Sequence, residues 1–161
     1  MSDETNQLRV RLVTPERVLF DAAASAVELP SKSGYMEVLF GHAPLLAELG
    51  AGDVVIHGGQ PDASQSQSGS GQAASAQATA PTGDSRYNVN WGFVEVLPDR
   101  VTILANDALK PEEIDVARAK EQLERGQKEW REAGDSEEAY AEALHVINEA
   151  EAKLGTAAEK H

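Results

Sequence analysis

SGYMEVLFGHAPLLAELGAGDV, residues 33–54, is a string of short apolar runs broken by Gly34, Gly41, Gly50 and Gly52. Pro44 removes a ladder donor at its Gly-His-Ala-Pro corner. Runs this short, with turns this frequent, suit a small all-β sandwich better than an α/β sheet. The flanking segments repeat the theme. Upstream, Leu8, Val10 and Leu12 alternate with Arg9 and Arg11 at the period of a half-buried strand. Thr14-Pro15-Glu16-Arg17 reads as a turn, and residues 18–20 and 26–29 as strands, the second stopped by Pro30. Downstream, residues 54–56, 86–91, 93–96 and 101–104 continue the series. Gly92 allows close backbone approach, and Pro98-Asp99-Arg100 turns a hairpin.

Between residues 60 and 85 the composition changes. QPDASQSQSGSGQAASAQATAPTGDS has no Val, Ile, Leu, Met or aromatic side chain, so it cannot offset the entropy of ordering itself. It reads as a disordered surface loop inserted within one domain. After Asp107 the hydrophobic period changes from two to about 3.6. Pro111 suits a first helical position, and Glu112, Glu113 and Asp115 complement the helix dipole. Val116, Ala119, Leu123 and Trp130 form one stripe, with Gly126 leaving room for a neighbour. Ala133-Gly134 ends this helix, and Asp135 with Glu138 is spaced as a capping box for a second. Tyr140, Ala143, Ile147, Ala150 and Leu154 line that second helix. Two one-faced helices joined by a few residues predict an antiparallel hairpin. The expected organisation is an N-terminal β-sandwich over 1–106, with the insert at 60–85, and a C-terminal helical hairpin over 107–161.

The chain has 161 residues and a formal net charge of −13, so the nucleic-acid backbone would be repelled. Having no cysteine, it has no disulfide framework, thiol nucleophile or zinc-thiolate site. The opening MSDETNQLRV lacks the apolar region of a secretory signal, and no apolar run nears the roughly 20 residues that span a bilayer. Membrane association is therefore expected only through a protein partner.

No enzyme signature emerges. His42, His57, His145 and His161 lack the spacing of a metal pair, and no nucleophile elbow, Walker loop or dinucleotide fingerprint is present. Two readings fit His42: a base working with a nearby carboxylate, or a side chain holding the corner through backbone hydrogen bonds. Two also fit Ile114-Asp115-Val116-Ala117-Arg118-Ala119. Asp115 and Arg118 share a helix face and make a surface ion pair, or the arginine meets phosphate while the carboxylate meets sugar or base.

Three segments carry a resemblance to the epsilon subunit of F-type ATP synthases, and it covers nearly the whole chain outside the insert. They are residues 34–46 with their GHAPLL core, Gly92-Phe93-Val94-Glu95-Val96 followed by Val101-Thr102-Ile103-Leu104-Ala105, and residues 114–119. The last resembles the family's [IL]-D-x-x-R-A pattern. The resemblance implies a non-catalytic rotor subunit of the central stalk, at the cytoplasmic face of the bacterial inner membrane. The sandwich would bind gamma and the c-ring and couple proton flow to ATP synthesis. The hairpin would inhibit ATP hydrolysis when extended toward the alpha/beta head. It implies regulatory ATP contacts at Ile114, Asp115, Arg118 and Ala119, with Arg125 an addition, and gamma or c-ring contacts at Tyr35, Glu37, Phe40 and His42. No metal is implied.

The chain departs from the family in its second helix, which is rich in Glu138, Glu142, Glu149 and Glu151 and has no arginine after Arg131. Weak ATP binding and weakened inhibition are therefore expected. Two other classes of reading remain: a β-sandwich ligand-binding module with an oligomerising helical tail, and a hydrolase built on His42.

Overall fold

The computed structural model describes residues 7–58 and 83–159. Its elements are β1 (Leu8–Val13), β2 (Val18–Ala24), β3 (Ala26–Ser31), β4 (Gly34–Leu39), β5 (Leu45–Leu49), β6 (Gly52–His57), β7 (Ser85–Leu97) and β8 (Arg100–Leu109). A single 3-10 turn, Pro111–Glu113, leads to α1 (Val116–Glu132) and α2 (Glu137–Ala158). Strands run β2-β1-β8-β7-β5-β3-β4 in order, and β6 bridges β3 and β7.

The sheet closes on itself because β7 changes partner. Its first half pairs with β6 (Val54↔Tyr87, Gly52↔Val89) and its second with β5 (Leu49↔Gly92, Leu45↔Val96), while β8 accompanies it throughout. The corner falls at Trp91, φ 40°, and Gly92, φ 138°. Strands that switch layers need such a bend. The period-two alternation then points one set of side chains inward. Leu8, Val10 and Leu12 of β1, Val94 and Val96 of β7 and Val101 and Ile103 of β8 are fully buried. Phe20 meets Tyr87 edge-on at 6.5 Å, and the Tyr87 hydroxyl donates to the Leu19 carbonyl. Burial pushes the Tyr87 phenol up.

The sandwich followed by a helical hairpin is as expected, but several boundaries move. β3 runs through Pro30 to Ser31, because Pro30 lies opposite Tyr35 at the turn-end of the β3–β4 pair. β8 continues to Leu109, past the 106/107 division, since Asp107, Ala108 and Leu109 still pair with Asn90, Val89 and Asn88. The expected insert mostly lies outside the described residues, but Ser85 is already the first residue of β7. Pro111 opens the 3-10 turn, whereas α1 starts at Val116, after an extended Ile114 and an N-capping Asp115. The cap of α2 is Ser136, which accepts from the Ala139 N–H, and not Asp135. That helix continues four residues past Leu154, to Ala158.

The helices meet through small side chains. Ala119 and Gly126 of α1 and Ala143 and Ala150 of α2 are buried. A β-carbon at position 126 would stand 2.9 Å from Ile147 Cγ1 and 3.1 Å from Val146 Cγ1. Val116 and Trp130 lie at the ends of the expected stripe and stay exposed, Trp130 packing on Tyr140 at 5.5 Å. The hairpin folds back onto the sandwich. His145 of α2 stacks on Trp91 at 3.6 Å, and the far end of α2 reaches β6 and β7 through Thr156 and Glu159.

Candidate functional site

The 3-10 turn, the start of α1, the end of β8 and the middle of α2 enclose a cavity of about 680 Å³, within the range of small-molecule sites. All five residues singled out for nucleotide contact line it: Ile114, Asp115, Arg118, Ala119 and Arg125. The fold brings them together because Asp115 caps α1, which sets the following residues on the helix face toward α2. The Asp115 carboxylate accepts from the backbone N–H of Arg118 at 3.1 Å, so its role in the structure is a cap, where a side-chain ion pair had been one expectation. Arg125 reaches Glu129 at 3.7 Å, one turn away.

Sequence reading missed the rest of the wall: Asp107 and Leu109 of β8, Glu113 of the 3-10 turn, Glu121 and Gln122 of α1, and Glu149 and Lys153 of α2. The missed wall is mostly carboxylate. Burial pushes the Glu149 carboxyl up, but Lys153 at 2.6 Å, with hydrogen bonds from Gln122 and Asn90, outweighs it and holds the group below the ordinary carboxylate range. The Lys110 backbone N–H lowers Glu113 against a burial penalty, with Arg17 helping. Both acids are therefore ionised at neutral pH. Five carboxylates face Arg118, Arg125 and Lys153 in this cavity, and Lys153 is already engaged by Glu149.

The partner-contact residues do not converge. Tyr35 and Glu37 stand on β4, and the Tyr35 hydroxyl accepts from the Asp53 N–H at 3.1 Å, near the end of α2. Phe40 and His42 lie past the other end of β4, where the Gly41 N–H donates to the Pro98 carbonyl. His42 Nδ1–H donates to the Ala43 carbonyl at 2.7 Å, so the ring is tied to its own corner. The pattern also left a further surface unread. Val13, Leu104 and Phe93 lie side by side across β1, β8 and β7, with Leu46 of β5 diagonal to them, all on the outward face. Phe93, Leu104 and Leu46 are 52%, 53% and 71% exposed. The signal was present in Leu46-x-Glu48, Phe93-x-Glu95 and Thr102-x-Leu104, but only register shows that these positions share a face.

His57, at the end of β6, sits between two acids. Nε2 is 2.9 Å from Glu28 and Nδ1 3.1 Å from Asp84. The hydrogen bond to Glu28 raises its pKa above 6.5, with Asp84 adding to it against a burial penalty. A folded-state pKa above the unfolded one stabilises fully below pH 6.5 and is lost as pH rises through the folded value. The urea stability of the wild type over His57→Asn should thus be greatest near pH 6 and shrink toward pH 9, by under about 1 kcal/mol for such exposed groups. A pH-independent difference would show that the two carboxylates contribute nothing.

Among the described residues no group of three or more His, Asp or Glu side chains is placed to hold a metal ion, and no helix is long and apolar enough to cross a membrane. Residues 7–66 match the family profile described as "ATP synthase, Delta/Epsilon chain, beta-sandwich domain". A relative named ATP synthase epsilon chain, from Solibacter usitatus, is 38% identical over 154 residues, 95% of this chain and 97% of that one. The protein of that name from Koribacter versatilis is 36% identical over 124 residues, 76% of this chain and 71% of its own. The chain belongs to the ATP synthase epsilon chain family. The fold is also similar to a chain in the cryo-EM structure of the Euglena gracilis mitochondrial ATP synthase, OSCP/F1/c-ring in rotational state 1. That match has a TM-score of 0.66 at 17% identity, covering 91% of this chain and 79% of that one.

Proposed function

We propose that this chain is the non-catalytic epsilon subunit of a proton-translocating F-type ATP synthase. It sits in the central stalk at the cytoplasmic face of the bacterial inner membrane and couples proton flow to ATP synthesis. The observation that carries this reading is the near full-length match, sandwich and hairpin together, to a relative named as an epsilon chain. The apolar row Val13, Leu104, Phe93 and Leu46 is the surface we assign to gamma, as a contiguous outward patch needs a partner. The corner with Phe40 and His42, beside exposed Leu39 and Leu45, is assigned to the c-ring. Glu37 lies on β4 on the way to that corner, whereas Tyr35, at the other end of the strand, stands apart from both surfaces.

The hairpin is the regulatory element, reaching the alpha/beta head when extended. Regulatory ATP is a weak ligand here. Its phosphates would enter a cavity where carboxylates outnumber cations, and like charges repel most in a partly enclosed site. Calorimetry on the isolated chain should show no micromolar ATP binding.

The function is tested by ATP hydrolysis of the cognate alpha-beta-gamma head, alone, with the full chain, and with a chain stopped after Lys110, which keeps all of β8. Both chains should associate with gamma. Only the full chain should slow hydrolysis, and less strongly than family members with a basic second helix. Failure of both to associate would overturn the assignment.

A further inference from the structure

The acidic cavity leaves open what keeps the hairpin folded, and the other end of α2 offers an answer. Thr156 is 2% exposed and Asn88, on β7, is 3% exposed. Asn88 Nδ2 donates to Thr156 Oγ1 at 2.8 Å, and the single Thr156 hydroxyl hydrogen has two acceptors in reach, Asp53 Oδ1 on β6 and the Ala152 carbonyl one turn back at 2.9 Å. Asn88 Nδ2 also reaches Asp53 Oδ1, at 3.4 Å. Outside this centre, Arg86 of β7 bridges Asp53 Oδ2 and Glu159, just past the end of α2. Five side chains, from β6, β7, α2 and the residue that follows α2, are thus joined in one chain of hydrogen bonds and ion pairs. The apolar seam beside it is thin, because α2 presents Asn148, Glu151, Ala152, Gly155 and Thr156 to this part of the sandwich.

We propose that the Asp53–Asn88–Thr156 node, braced by Arg86 and Glu159, is a built-in latch that holds the hairpin folded without nucleotide. A carboxylate sharing a hydrogen bond with a buried hydroxyl is stabilised in a setting where losing that partner is costly. When α2 lifts, Asp53 and Asn88 return to water, so the latch opens without leaving a buried orphan. It is therefore reversible. Its consequence for hydrolysis rests on the stalk-subunit reading, but the latch itself does not.

The test uses the full chain, which has no native cysteine, spin-labelled after Ser33→Cys and Glu142→Cys. Electron-electron distances then report whether α2 is docked. Wild type should be docked with and without millimolar ATP. Thr156→Val keeps the shape but removes the hydroxyl, and should lower the docked-to-undocked ratio roughly tenfold to a hundredfold. Thr156→Ser should remain docked. Asp53→Asn approaches the node from the sandwich side and should loosen docking too, with the double variant no worse than Thr156→Val alone.

Amide protection of Val94 and Ile103 checks that the sandwich is intact, and Asp53→Asn decides the question if Thr156→Val loses that protection. Docking unchanged in both variants would overturn the latch, as would a wild type that docks only when ATP is added. Variants that undock as expected in a chain that fails to bind gamma would sink the stalk reading and leave the latch standing.

Discussion

Gly92→Ala is expected to lower the unfolding free energy of the sandwich by about 4 kcal/mol. Two costs coincide at this position. The backbone holds φ at 138°, a conformation that side chains with a β-carbon rarely adopt. A β-carbon would also overlap the Leu104 carbonyl oxygen and stand 3.0 Å from Ala105 Cα, both of them backbone atoms of β8 that cannot rotate away. The strain falls where β7 leaves β6 for β5, so relief at one partner disturbs the other. Gly50→Ala is the contrast, since the added carbon would meet Ser31 O at an ordinary 3.4 Å with no positive φ. Urea titrations should place the two variants several kcal/mol apart, and equal midpoints would show that the β7 corner relaxes freely.

The second large effect concerns association. Phe93→Asp, and independently Leu104→Asp, should weaken binding to gamma by roughly a hundredfold or more while leaving the sandwich folded. The two side chains are directly opposite on β7 and β8 and face outward, so the substitution puts charge at the centre of the apolar row without touching the core. Buried aromatic anchors at the middle of an interface commonly contribute 2–4 kcal/mol or more. A carboxylate there adds the cost of desolvating an unpaired charge. Glu95→Gln, one pair further along the same face, should change affinity little. Co-sedimentation with gamma distinguishes the cases. Full affinity in both Asp variants would move the gamma surface elsewhere.

What could be read from the residues follows from which signals are local. Alternation of Leu8, Val10 and Leu12 or of Val94 and Val96 marks an inward face within a few positions, and these side chains are fully buried. The Ile114 to Ala119 segment could be singled out because its members are close in sequence, and Ile114, Asp115, Arg118 and Ala119 line one cavity. Glu149 and Lys153 come from α2, and Asp107 from β8. No spacing rule links them to Asp115, so half of the cavity stayed hidden. The same holds for Thr156, which in sequence is a threonine near the end of an alanine-rich helix. Its partners Asp53 and Asn88 lie 103 and 68 positions away. Helix starts failed for a different reason. Pro111 and the following acids satisfy a first-turn pattern, yet the extended Ile114 separates them from the helix that Asp115 caps.

The parallel pairing of β1 with β8, Arg9↔Arg100 through Val13↔Leu104, has a consequence for how the protein is made. Among the described strands β1 pairs with β2 and β8, so it has β2 alone beside it until β8 has been synthesised. During that interval one hydrogen-bonding edge of β1, with Leu8, Val10 and Leu12 on its apolar face, lacks its native neighbour. Cooperative closure must therefore come late, as a non-local event whose entropic cost grows only slowly with the length of the intervening chain. The long β6–β7 connection adds little to that cost. A nascent chain arrested before Arg100 should be held by chaperones or aggregate, whereas one released after Leu109 has all eight described strands.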